Sequence, residues 1–280
     1  MRAFDNSTLD DFRRCMRFGY YRHVRGWTHS DPSPPLVFGS AWHAAMDVVW
    51  PALCEGRTAG VVGQAFDAFM AEWIAEGGPD PIPVTRLKWW MPRVPQTARF
   101  MLETYVAKRA KALSRLQIVR VEEPFAIDLG NGLMYTGRRD KMVRDDKGRT
   151  IVVEHKTTAL GGKNGFMDKW MRSWSPKSQI DGYLYSAGLD YPKLNASLWI
   201  DASLVNPEHQ HFEFIPISRH PDHLDSWLWG VRYLTALVNQ HWEAVRPADG
   251  THPQEGKPFM AAFPQSTGQC EQYNKLCPYH

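Results

Sequence analysis

The chain has 280 residues, 43% hydrophobic and 22% charged, which suffices for a core without disulfides and excludes a disordered, collagen-like or coiled-coil protein. Thirty-three Lys and Arg against 30 Asp and Glu leave a net charge of +3, too small to define a partner. No window approaches the ~18 apolar residues of a membrane span, and the charged first twenty residues lack the apolar centre of a signal peptide, so a cytoplasmic location is expected.

In chain order, residues 1–115 read as mainly helical. The spacing predicts a helix from Ser7 to about Trp27, with Ser7 as cap and Leu9, Phe12, Met16 and Tyr20 on one face. The run DPSPP at 31–35 reads as a linker, followed by a helix from Phe38 toward Leu53 that Pro51 breaks or kinks. Residues 60–76 and 95–115 give two further helices, separated by a Pro-rich loop holding Trp89 and Trp90. From 116 to 280 the pattern turns to strands at Ile118–Ile127, Leu133–Arg144 and Thr150–Lys156, with turns at 130–132 and 145–148. A Gly-rich loop at 161–165 precedes a helix from Ser175 to about Leu189, with Ser175 as cap and Pro176 at its first position. Strands at Ala196–Val205 and Gln210–Ser218 and a helix over Pro221–Glu243 complete the pattern. The expected architecture is α/β, a central mixed sheet flanked by helices with a mainly helical N-terminal part, in one continuous domain.

The chemistry gathers on the hairpin. On its last strand Val152, Glu154 and Lys156 share one face, because strand side chains alternate. Asp140, on the adjoining antiparallel strand, can approach Glu154 across the ladder. Two carboxylates, the carbonyl of His155 and a neighbouring ammonium would suit Mg²⁺. Taken alone, Glu-x-Lys is more simply an exposed cross-strand ion pair. Gly137, three residues before Asp140, permits a close backbone approach. Gln179 and Tyr183 stand one turn apart on a helix face. Lys163, Lys169, Arg172 and Lys177 surround the loop after the hairpin and read as phosphate contacts or as a solvated face. Trp89, Trp90, Trp170 and Trp174 read as core more readily than as base-stacking platforms.

Gly137-x-x-Asp140, a turn, Glu154-x-Lys156 and then Gln179-x-x-x-Tyr183, in that order, resemble the PD-(D/E)xK nuclease superfamily. The likeness is strongest to its RecB-type branch, with the CRISPR-associated exonuclease-like and phage nucleases. Glu123-Pro124-Phe125 is similar to the strand leading into that family's site, and Phe38-Gly39-Ser40-Ala41-Trp42-His43 to the branch's early helical motif. Arg139 stands where the family name has its leading Pro. The resemblance runs from about Ser7 to Cys277. It implies a restriction-endonuclease-like core and a divalent-metal-dependent deoxyribonuclease, foremost an exonuclease, leaving 5′-phosphate ends in recombination, repair or phage DNA metabolism. Asp140, Glu154 and Lys156 would be catalytic, and His43, Asp140, Glu154 and the His155 carbonyl would hold Mg²⁺ or Mn²⁺. Lys156 would orient the attacking water, while Gln179 and Tyr183 would contact DNA or support the site. Asp47, one turn after His43, would orient it or be solvated. DNA is the implied partner, with a recombinase, helicase or single-strand-binding protein as further candidates and an oligomer open; no membrane is implied. The three retained catalytic residues favour cleavage over the alternative, a non-cleaving DNA-binding scaffold on the same fold.

Four cysteines (15, 54, 270 and 277) in a reducing compartment are not a disulfide framework. Many RecB-type nucleases hold an iron–sulfur cluster on one N-terminal and three C-terminal cysteines. Cys15 and Cys270-x6-Cys277-Pro resemble part of that set, which implies a [4Fe–4S] cluster with Cys54 or His280 as the remaining ligand; zinc or free thiols are the alternatives.

Overall fold

The computed structural model describes residues 2–28, 31–175, 177–191, 197–247, 256–272 and 275–279. Strand β1 (Arg2–Phe4) precedes helices α1 (Asn6–Arg14) and α2 (Met16–Gly19), the latter running on as a π-helical turn at Tyr20–Val24. There follow α3 (Pro34–Cys54), α4 (Val61–Ala75), the single turn α5 (Leu87–Trp90) and α6 (Pro95–Leu113). Next come β2 (Gln117–Gly130), β3 (Leu133–Arg144), β4 (Thr150–Thr158), the short hairpin β5 (Gly161–Gly162) and β6 (Gly165–Phe166), α7 (Asp168–Arg172) and α8 (Ser178–Asp190). The chain continues through β7 (Ser197–Leu204), β8 (Phe212–Ser218), α9 (Pro221–Val245), α10 (Lys257–Ala262) and a last pair, β9 (Glu271–Gln272) and β10 (Lys275–Leu276). No helix among the described residues is long and apolar enough to cross a membrane.

Two compact units are formed, one from Met1–Ser30, Pro124–Gly137 and His220–His280, the other from Asp31–Glu123 and Arg138–Arg219. The second unit holds the mixed sheet flanked by helices. Its strands β3 and β4 are antiparallel, β4 and β7 parallel, and β7 and β8 antiparallel. Val143, Ile151 and Val153 join a core with Phe38, Trp42, Met46 and Trp50 of α3, Phe69 of α4 and Met101 and Tyr105 of α6. Parallel strands buried on both faces need the near-continuous apolar composition seen at 151–153 and 198–200.

Several boundaries differ from the sequence expectation for local reasons. Helix α3 begins at Pro34, with prolines at its first positions; the fixed φ of proline suits a first turn, whose N–H groups need no intrahelical acceptor. DPSPP is therefore half helix start, not all linker. Pro51 falls in the last turn and α3 runs on to Cys54. The helix expected over Ser7–Trp27 is two pieces, because Cys15 is extended (φ −163, ψ 123), and Asp5, not Ser7, caps α1 by accepting from the Thr8 N–H at 2.7 Å. Helix α8 starts at Ser178, with Lys177 rather than Ser175 at the cap; Pro176 and Ala196 lie outside the described residues.

In the first unit β1 pairs in parallel with the start of β3, Phe4 opposite Tyr135. At three residues β1 is too short to show alternation, and the sequence reading of 1–115 omits it. Helix α9 buries Leu224, Trp227, Leu228, Val231 and Val238 along one stripe. The turn before β3 has Gly130, Asn131 and Gly132 all at positive φ (90, 54 and 74), which glycine and asparagine accept most readily. Gly137 is needed for space: a Cβ there would meet the Phe125 ring at 2.5 Å.

Candidate active site

The site is built around β4. Its parallel ladder with β7 sets His155 opposite Asp201 and Lys156 opposite Ala202, and alternation sends Glu154 and Lys156 to one face and His155 to the other. His155 and Asp201 are fully buried. The Nδ1–H of His155 donates to Asp201 Oδ2 at 2.9 Å, the Tyr105 hydroxyl donates to the same oxygen at 2.6 Å, and the Trp50 indole N–H donates to Tyr105 at 2.9 Å. Arg109 stands 3.7 Å from the other oxygen, Oδ1. Burial pushes His155 down to about 4, so the ring is neutral. This network pins β4 from behind to α3, α6 and β7.

On the front, the β3–β4 ladder ends at Lys141 opposite Val153. Beyond it the Asp140 carboxylate accepts the backbone N–H of His155 at 2.8 Å. His43, from the middle of α3, sets Nδ1 3.3 Å from Asp140 Oδ2 and donates from Nε2 to the His155 carbonyl at 2.9 Å. Burial works against a charged His43, but Asp140 raises it above the ordinary imidazole value. Burial alone would likewise raise Asp140, but His43 holds it far below the usual carboxylate range.

Glu154 is 1% exposed. Its Oε1 pairs with the Lys156 ammonium and accepts from Gln179 Nε2 at 3.1 Å, and Gln179 also donates to the Tyr183 hydroxyl at 2.9 Å. Its Oε2 is buried without a hydrogen-bond partner. Burial and the neighbouring Asp140 push Glu154 up to about 7. For Lys156, burial lowers its affinity for a proton, but Glu154 and Asp140 outweigh this and raise it, so the amine stays an ammonium.

The third carboxylate is Glu122 on β2. One donor atom each from His43, Glu122 and Asp140 lies within 4.8 Å of the other two, while Arg138 pairs with Glu122 at 2.5 Å. Burial, Asp47 and Asp140 raise Glu122. Two carboxylates raised by an ionised third, beside a buried glutamate oxygen without a donor, form a site that a hard cation would satisfy.

A family model for the PD-(D/E)XK nuclease superfamily matches residues 6–279. The chain belongs to this superfamily. Its members are nucleases that hydrolyse phosphodiester bonds with divalent metal ions, and the donor set at His43, Glu122 and Asp140 fits such an ion. Among solved structures, a protein from Eubacterium rectale named "Putative exonuclease" is similar at 12% identity and a TM-score of 0.49, over 85% of this chain and 80% of that one. The structure named SSO0001 is similar at 12% identity and a TM-score of 0.28, over 82% and 89%. No curated protein matches this sequence. At such identities and TM-scores below 0.5, the family model alone carries the assignment.

Within the superfamily pattern, the structure brings His43, Asp140, Glu154, Lys156, Gln179, Tyr183 and the His155 carbonyl together. Glu154 stands beside the compact donor group, not inside it, and Glu122 takes the third place among the described residues. Sequence reading passed over Glu122, whose φ of 51 turns it out of the strand alternation; only the doubled Glu before Pro124 signals it. Asp47 does not orient His43: it accepts from the buried Lys141 ammonium at 2.6 Å. Arg139, in place of the family's proline, is an anchor. It is 1% exposed and donates to Glu123 at 2.7 Å, Asp190 at 2.6 Å and Ser186 at 3.1 Å, joining β2 and β3 to α8. The two tryptophans at 89 and 90 part company, Trp90 buried and Trp89 55% exposed.

In the other unit Cys15, Cys270 and Cys277 line one small cavity that is partly open to solvent. Gln265 Nε2 lies 2.9 Å from Cys270 Sγ, and the Ser266 N–H donates to Cys15 Sγ at 3.4 Å. Cys54 is half-buried against the helical core of the second unit, and burial and Glu55 push its thiol up to about 11. His280 lies outside the described residues.

The hub behind β4 is open to test. Asp201→Ala leaves His155 and Tyr105 buried without their acceptor, which should cost about 3 kcal/mol of stability in urea unfolding. A loss below about 0.5 kcal/mol would show that the network does not hold the strand.

Proposed function

We propose that this protein is a divalent-metal-dependent deoxyribonuclease, foremost an exonuclease, of the RecB-type branch, serving recombination, repair or phage DNA metabolism. The observation that carries the reading is the convergence of His43, Glu122, Asp140, Glu154 and Lys156 around the second half of β4. Asp140, Glu154, Glu122, His43 and the His155 carbonyl would hold Mg²⁺ or Mn²⁺. Such an ion, when bound, withdraws charge from the scissile phosphate and acidifies water. Lys156, kept as an ammonium by Glu154, orients the attacking water and favours its deprotonated form without acting as a base itself. Gln179 holds the Glu154 carboxylate in place and Tyr183 holds Gln179, so both support the site. A recombinase, a helicase or a single-strand-binding protein is the partner class that would supply a processive activity.

The decisive measurement uses the purified chain with Mg²⁺ or Mn²⁺ on end-labelled linear and on circular DNA. Cleavage should be absent in EDTA and fall at least about 10³-fold in Asp140→Ala, Glu154→Ala and Lys156→Ala, with DNA affinity largely kept because phosphate contacts elsewhere supply it. Lys156→Ala alone should keep its divalent-ion affinity. DNA binding without cleavage in the wild type would establish the scaffold reading instead, and full activity in either carboxylate variant would exclude these carboxylates as the catalytic ligands.

The pH dependence follows from Glu154. Its carboxyl, lifted to about 7 by burial and Asp140, must lose its proton to bind a cation. Divalent-ion affinity should therefore rise steeply with pH through about 7, with Glu154 and the raised His43 each giving up a proton on binding, as calorimetry would show. Glu154→Gln should remove one proton from that dependence; a slope unchanged by the substitution would exclude Glu154 as a ligand.

The reading includes an iron–sulfur cluster on Cys15, Cys270 and Cys277. Supporting it are the shared cavity and the two nitrogen donors beside its sulfurs, since cluster sulfurs accept hydrogen bonds. The cluster would tie the α1–α2 junction to the C-terminal segment of the same unit. Anaerobically purified protein should be brown, contain iron and sulfide, and bleach with loss of thermal stability in Cys270→Ser. A colourless, iron-free and fully stable preparation would leave free thiols.

A further inference from the structure

Residues 159–175, after β4, carry hairpin β5–β6 and helix α7, and Lys177 stands at the cap of α8. Three of their rings form a continuous run. Phe166 and Trp170 stack nearly parallel, 15° apart with centroids 5.3 Å apart, and Trp170 meets Trp174 edge-on at 5.3 Å. The run ends at the active site, where the ammonium of Lys156 lies 5.8 Å from the Trp174 ring and that of Lys177 5.9 Å from it. Trp174 is 9% exposed, yet its indole N–H has no acceptor. A buried donor on a ring that two ammonium groups approach lacks an acceptor. Its backbone is held in place: the Arg219 guanidinium donates to the carbonyl oxygens of Trp174 (3.3 Å) and Ser175 and pairs with Asp181 of α8 at 2.6 Å. The segment is also cationic, with exposed Lys163, Lys169, Arg172 and Lys177 against the single acid Asp168.

We propose that residues 159–175 together with Lys177 grip the substrate strand and require it to be single-stranded. Trp174 donates its N–H to a phosphate adjacent to the reacting one, Lys177 pairs with that phosphate, and an unpaired base extends the Trp170–Phe166 stack. This rests on the nuclease reading and names its substrate class. Aromatic faces bind bases only where the bases are unstacked, so a run of rings edged by cations selects single strands over duplex. Trp174 and Lys177 are positioning residues and take no part in the chemistry.

The test measures cleavage kinetics, and binding in the Asp140→Ala background, on single-stranded and duplex DNA of one sequence. Wild type should prefer the single strand. Trp174→Phe, which keeps the ring and removes only the N–H, and Lys177→Gln, on an exposed side chain, should each raise KM about tenfold with kcat within about twofold. Lys177→Gln should also lessen the slope of log Kd against log salt by about 0.7, a change that a purely structural role would not produce. Trp170→Ala should erase the single-strand preference. Active variants with wild-type KM, salt slope and strand preference would overturn the proposal while leaving the nuclease reading intact. A wild-type chain that neither binds nor cuts DNA would overturn both.

Discussion

One strand organises this site. Because β4 is paired in parallel with β7 and its side chains alternate, Glu154 and Lys156 face the helix α8 while His155, between them, is locked to Asp201 behind the sheet. The same residue, His155, gives its N–H to Asp140 and its carbonyl to His43. A single residue's backbone thus sets the spacing of two donor groups, and its side chain holds that backbone still. Buried hydrogen-bonded networks of this sort give a site its rigidity, because any member removed leaves the others without partners in a low dielectric.

The front face crowds charge where burial disfavours it. Glu122, Asp140 and Glu154 converge where burial already disfavours charge, and two of the three are raised for that reason. Lys156, His43 and Arg138 offset part of it. The Glu154 oxygen without a donor is what remains. A fold whose purpose was stability alone would have used apolar residues here, which pack without desolvating charge. The donor group of His43, Glu122 and Asp140 fits a divalent cation, and the superfamily to which the chain belongs uses such ions.

How far the sequence shows this depends on which forces are local. The hairpin of β3 and β4 was legible because alternation, the Gly-Asn-Gly turn and the Asp145–Gly148 turn act over a few residues. Gln179 and Tyr183 were legible as a pair because they lie one helical turn apart, and they are hydrogen-bonded. Glu122 was not, since its positive φ takes it out of the period that sequence reading relies on. Asp47 was misplaced because its partner, Lys141, lies 94 residues further along the chain, and the pull of that buried ammonium outweighs the nearby imidazole. The break at Cys15 and the helix start at Pro34 show the same limit, with backbone conformation at one residue overriding apolar spacing across twenty.

By itself the sequence determined the α/β class, the order of the principal strands and helices, and the superfamily, because period-two and period-3.6 patterns and short motif spacings are written in neighbouring residues. Tertiary structure decided which side chains meet. The Asp201 hub joins residues from α3, α6, β4 and β7, and Arg139 ties β2 and β3 to α8. The aromatic run from Phe166 reaches Lys156 only because the segment after β4 folds back. Such contacts span tens of residues, and a linear pattern contains no signal for them, since burial and pairing energies act through space and not along the chain.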